Sequence, residues 1–156
     1  MPTRRAQTGL TLVELMMVVV IASLLLAVTA PSMRGLILRN RLEGSVNELG
    51  MDLYYARSEA LRRRATVSLV TNSTGTAYTL GTSTLALKSV SLPTGVTLSR
   101  NVTVAFDGMR GATQGDSSLD ASVSGLTELA LRASVTAVGR VSVCTVTGSL
   151  PGMPRC

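Results

Sequence analysis

The chain has 156 residues, 46% of them hydrophobic but only 3% aromatic, with one Phe and no Trp. A core of this composition is built from Val, Leu and Ala, which suits a thin sheet packed on a helix and argues against a deep ligand pocket. There is no His, which removes the commonest general base and metal ligand, and the +6 formal charge comes mostly from the N-terminal third.

Residues 1–9 form a short basic leader with Arg4 and Arg5 and end in Gly9. Residues 10–31 follow as an apolar run of 22 residues closed by Pro31. As a helix that run is about 33 Å long, enough for a bilayer core of about 30 Å. A basic leader before an apolar run fits a cytoplasmic start and an exported remainder. A cleavable secretory signal would place its small-residue cleavage site after the apolar run; here the Gly precedes it, so cleavage after Gly9 keeps the run. Glu14 is the one charge in the segment. A carboxylate in hydrocarbon costs on the order of 3 kcal/mol or more, so Glu14 needs either a surface position or a partner.

Beyond Pro31 the pattern becomes periodic. Leu42, Val46, Leu49, Leu53, Ala56 and Ala60 recur at steps of four and three, the stripe of an amphipathic helix. Arg41, Glu43, Asn47, Glu48, Asp52, Arg57 and Glu59 lie between them and read as a solvated face. Gly35, Gly44 and Gly50 weaken the helix but allow close packing, and Pro31 can kink it. Arg62, Arg63 and Arg64 end the helical segment 32–64, where cations complement the helix dipole.

From residue 65 onward β-branched residues rise and helical periodicity stops. "TVSLVT", "AYTLG", "TLALKSV" and "VTLS" read as short strands, with "NSTGTA" as a turn and Pro93 and Gly95 as breakers. "NVTVAFDGMRGAT" is a strand running into a turn. "QGDSSLDASVSG", 114–125, is rich in Gly, Ser and Asp and reads as a flexible loop. "LTELALRASV" and "GRVSVCTV" close the chain as a hairpin with its turn near 137–139. The predicted fold class is α+β: a long N-terminal helix, membrane-spanning in its first half and amphipathic in its second, packed on a C-terminal antiparallel β-sheet.

Gly9, Leu10, Thr11, Leu12, Val13, Glu14 and Leu15, with Pro31 ending the run, resemble the class III signal of type IV prepilins, with Leu10 where that family usually has Phe. "YARSEALRRR" (55–64) resembles the end of the spine helix in the GspH/FimT-type minor pilins and pseudopilins. "FDGMRGA" (106–112) and "VGRVSVC" (138–144) are similar to that family's F-D-x-x-G-R-A segment and its terminal G-R-x-x-x-C strand. The resemblance implies four segments: leader 1–9, transmembrane and filament-core helix 10–31, spine helix 32–64, and β-sheet domain 65–156. It implies a prepilin peptidase as partner, cutting between Gly9 and Leu10 and N-methylating Leu10. It also implies other pilins or pseudopilins as filament partners, with Glu14 meeting a neighbour's N-terminal ammonium so that each charge lowers the cost of burying the other. The implied location is the bacterial inner membrane, single-pass, with the C-terminal domain periplasmic. In that oxidising space Cys144 and Cys156, the only two cysteines, are expected to pair.

The implied function is structural, in a type II secretion pseudopilus or a type IV pilus. No nucleophile–base pair and no metal cluster is visible, so no catalytic role, metal or cofactor is expected. The alternative is DNA binding for natural transformation, since some members of the resembled family take up DNA through a basic C-terminal region. Arg140 matches the first Arg of their G-R-x-R pattern, but Ser142 stands at the second. Arg110, Arg132, Arg140 and Arg155 are the candidate contacts. Against this reading, 65–156 carries six basic and four acidic residues and shows no aromatic strip on which bases would stack.

Overall fold

A computed structural model describes residues 11–156, leaving aside the side chains of 27–32. The chain divides into two compact units, Met1–Leu36 and Ile37–Cys156. One helix, α1 (Leu12–Arg63), begins in the first and ends in the second, its helical assignment continuing through Pro31.

In the first unit the large apolar side chains from Leu12 to Leu26 are all exposed, between 57% and 74%. Among the described residues no helix is long and apolar enough to cross a membrane.

In the second unit the expected stripe is the core face of α1. Leu42, Val46, Leu49, Leu53, Ala56 and Ala60 are all completely buried. Gly50 leaves room for a close approach, since a Cβ there would lie 3.1 Å from Val143 Cγ2. Asp52 and Glu59 depart from the solvated face expected for them, being only 6% and 7% exposed. Periodicity assigned them by residue type, whereas cations recruited from the chain allow both carboxylates to lie at the packed edge of the stripe. Asp52 accepts from Lys88 Nζ at 2.8 Å and from the Tyr78 hydroxyl at 2.8 Å, and Glu48 also meets Lys88, at 3.2 Å. Burial and the Asp52 carboxylate push the Tyr78 phenol well above its ordinary pKa. The helix ends in a Schellman-type turn: the Arg64 N–H donates to Leu61 O and the Ala65 N–H to Ala60 O, with Arg64 at φ 52° in the conformation usually taken by Gly.

Eight strands follow: β1 (Val67–Thr71), β2 (Ala77–Gly81), β3 (Ala86–Ser91), β4 (Val96–Leu98), β5 (Thr103–Phe106), β6 (Ser117–Val123), β7 (Leu126–Val135) and β8 (Val141–Thr147). They form two four-stranded antiparallel sheets, ordered β3-β2-β1-β5 and β4-β6-β7-β8, rather than one. Their inward residues join the α1 stripe in a single core, with Leu69, Tyr78 and Phe106 from the first sheet and Leu119, Leu131 and Val141 from the second. The segment 114–125 is corrected from loop to strand. Within it Leu119, Ala121 and Val123 are buried in alternation with Asp120 and Ser122, a period-two pattern that the Ser and Asp of the outer face concealed.

Candidate functional site

The N-terminal signal is described from Thr11 onward. Gly9 and Leu10, the expected cleavage and methylation positions, lie outside the described residues. Thr11 caps α1: its Oγ1 accepts the Glu14 N–H at 3.3 Å, and its carbonyl accepts the Leu15 N–H at 3.1 Å. Thr-x-x-Glu is the sequence of a capping box, a signal present in "TLVE" that a reading of Glu14 by its charge alone does not use. The Glu14 side chain is exposed and has no hydrogen-bond or ion-pair partner among the described residues. A carboxylate in the first turn also suits the positive end of the helix dipole.

The "YARSEA" stretch turns out to be a clamp. Ala56 and Ala60 face the core. Arg57, on the flank, donates from Nε to Gly111 O at 3.0 Å and from Nη2 to Val138 O at 3.3 Å. One guanidinium thus fixes the turn of "FDGMRGA" and the turn of "VGR" to the helix, and the Thr113 N–H joins them through Ala137 O at 3.0 Å. Glycine is required where these backbones meet. A Cβ on Gly108 would sit 2.2 Å from the Ala65 nitrogen, and one on Gly139, already at φ 77°, would sit 2.0 Å from Gly111 O. Spacing alone gives no hint that these three motifs touch. Glu59 draws in Arg62 and Arg63 at 2.7 and 2.6 Å; their hydrogen bonds hold its carboxyl at about 2, below the ordinary 4.5.

At the other end of the domain Cys144 and Cys156 form a disulfide, with Cα atoms 5.0 Å apart. The last residues lie along β8. The Thr145 N–H donates to Pro154 O at 2.8 Å, Cys156 N–H to Thr145 O at 3.1 Å, and Thr145 pairs with Arg155 in a parallel bridge.

The structure places the four candidate DNA-contact arginines as follows. Arg132 and Arg155 line an open cleft of about 530 Å³ beside the disulfide, but Arg132 is committed to a two-point ion pair with Asp120 across β6 and β7. Arg110 and Arg140 stand on the two turns that Arg57 clamps. Asp107, on the same turn as Arg110, accepts the Met109 N–H through Oδ1. Among the described residues no group of three or more His, Cys, Asp or Glu side chains could hold a metal.

The family described as Type II transport protein GspH matches residues 45–146, the clamp, both sheets and most of β8 included. The chain belongs to the GspH family. The prokaryotic N-terminal methylation motif matches residues 4–30 of this GspH-family chain. Two crystal structures of the type IV minor pilin FimU of Pseudomonas aeruginosa (strain PAO1), in space groups P21 and P65, share its fold. They give TM-scores of 0.59 and 0.56, each at 21% identity, covering 67% and 65% of this chain and 89% and 91% of theirs. No curated protein sequence matches the chain. The chain is thus a type IV pilin-like protein of minor pilin or pseudopilin type.

Proposed function

We propose that this chain is a filament subunit of a type II secretion pseudopilus or a type IV pilus. In this reading it is cut between Gly9 and Leu10 by a prepilin peptidase, methylated on the new Leu10 amine, and held in the inner membrane by 10–31 before assembly, with the β-sheet domain in the periplasm. The observation that carries the reading is the state of Leu12–Leu26. Every large apolar side chain there is exposed, around a Glu14 carboxylate with no partner among the described residues. Apolar surface of that extent requires lipid or neighbouring helices to cover it. A neighbour's N-terminal ammonium would both neutralise Glu14 and fix the register of adjacent helices. The methylation motif over 4–30 supports the processing step.

The test separates processing from assembly. Glu14→Ala is expected to be cleaved and methylated as usual, read by N-terminal mass analysis, yet absent from sheared filament fractions. Gly9→Val is expected to accumulate as the uncut chain in the inner membrane. Normal incorporation of Glu14→Ala would remove the pairing argument, and normal cleavage of Gly9→Val would remove the processing one.

A further inference from the structure

The C-terminal end of α1 and the two turns clamped to it make one continuous surface. Gly108 lies against the Arg64–Ala65 backbone, and a Cβ on Gly111 would stand 3.1 Å from Leu61 Cδ1 and from Arg57 Nε. Out of this surface project Met109, 79% exposed, and Val138, 70% exposed, with Leu61 at 43% beside them. Arg62, Arg63, Arg64, Arg110 and Arg140, all exposed, adjoin these side chains along the chain. The acids nearby have partners of their own. Glu59 is shared by Arg62 and Arg63, Asp107 accepts the Met109 N–H, and Asp116 accepts the Ala137 N–H. Among the described residues Arg64, Arg110 and Arg140 have no ion-pair partner. Arg64 also occupies a left-handed position, φ 52°, which costs a residue with a Cβ about 1 kcal/mol.

We propose that this surface docks a different protein, one presenting an acidic segment with apolar side chains. Protruding aliphatic groups inside a guanidinium rim have the anatomy of a protein interface, where Met and Arg are enriched, and Met adapts its shape to its partner. Met109 and Val138 offer no ring on which a nucleobase could stack. A second copy of this chain is a poor complement. Of the eight acids in 37–156, Glu48, Asp52, Glu59 and Asp120 are ion-paired, and Asp107 and Asp116 accept backbone N–H groups. Among the described residues only Glu43 and Glu128 have neither kind of partner, Glu14 lies outside this unit, and no two of the eight acids stand closer than four positions in sequence, so no acidic run is present to face the arginines.

The test places a photo-crosslinking amino acid at Met109, and separately at Val138, of the full-length chain in its native cell envelope. After irradiation the adduct is mapped by mass spectrometry. The expected result is a covalent adduct with another polypeptide, through a contact peptide carrying an excess of Asp and Glu and at least one large apolar residue. Arg110→Glu combined with Arg140→Glu is expected to lower its yield at least about fivefold, and Arg100→Glu, away from the surface, to leave it unchanged. Retention of the Cys144–Cys156 disulfide reports that the variants fold. If the double variant does not accumulate, the unmodified arginines are tested in isolated envelopes, where raising salt from about 0.05 to 0.5 M should reduce the yield similarly by screening. No polypeptide adduct, an adduct with the same chain, with lipid or with nucleic acid, a contact peptide without acidic excess, or a yield indifferent to charge reversal or salt would each overturn the proposal.

Discussion

Glu59 shows how much one residue's surroundings decide. Its neighbours Ala56 and Ala60 face the core, and its own carboxylate is nearly covered, yet two guanidiniums from the next turn keep it ionised to about pH 2. Its folded pKa lies below the ordinary 4.5, so its stabilisation is complete above that value and is lost as pH falls from about 4.5 toward 2. Glu59→Gln should therefore be less stable than the parent at pH 7, with the difference closing across that window. Urea midpoints at pH 7, 4 and 3 check this, and parallel acid limbs for the two proteins would refute it. Asp52 differs in having its partners on the first sheet. Asp52→Ala leaves the fully buried Tyr78 hydroxyl without its acceptor, at an expected cost of about 2–3 kcal/mol. Tyr78→Phe, which leaves the Lys88 pair intact, should cost about 1 kcal/mol.

At the level of elements, β8 depends on the tail that follows it. The disulfide closes a sequence separation of 12 residues, and the tail takes both Thr145 main-chain groups, covering part of an edge strand that would otherwise be open to pairing. Cys156→Ser should cost roughly 3 kcal/mol on chain-entropy grounds, and should free the tail amides to exchange while β7 amides stay protected; hydrogen exchange on parent and variant reads both. Elements with clear periodicity were legible in the sequence: the α1 stripe, β1, β2 and the β7–β8 hairpin follow from apolar spacing alone. What spacing could not supply was pairing between segments. β6 was hidden because its solvent face is Ser and Asp while its buried face is only Leu119, Ala121 and Val123. The division into two sheets depends on β4 pairing with β6, a long-range choice that no local pattern encodes. Arg57 looked like one more charge on a helix, because its acceptors are carbonyls 54 and 81 residues away.

For the whole molecule, the question is which part is self-sufficient. Every fully buried apolar side chain of the described residues lies at Leu42 or beyond, so a fragment beginning at residue 37 carries the complete core and should fold alone, with a cooperative thermal transition and the disulfide formed. That fragment also tests the DNA alternative without the apolar segment interfering. It holds twelve Lys and Arg against eight acids, a modest excess. Of its candidate contacts Arg132 is paired with Asp120 and lines one cleft with Arg155, while Arg110 and Arg140 stand on the clamped turns. Binding through a few phosphate contacts weakens steeply with salt, and non-specific complexes at physiological salt have Kd values of about 10⁻⁴–10⁻⁶ M. The fragment is expected to fall in that weak range with duplex DNA, with little change for Arg140→Ala. Fluorescence anisotropy at several salt concentrations measures it. Submicromolar binding at physiological salt that Arg140→Ala reduces by tenfold or so, about 1.4 kcal/mol, would put DNA recognition ahead of a purely structural role, because so modest a charge excess does not by itself give that affinity or that dependence on one arginine.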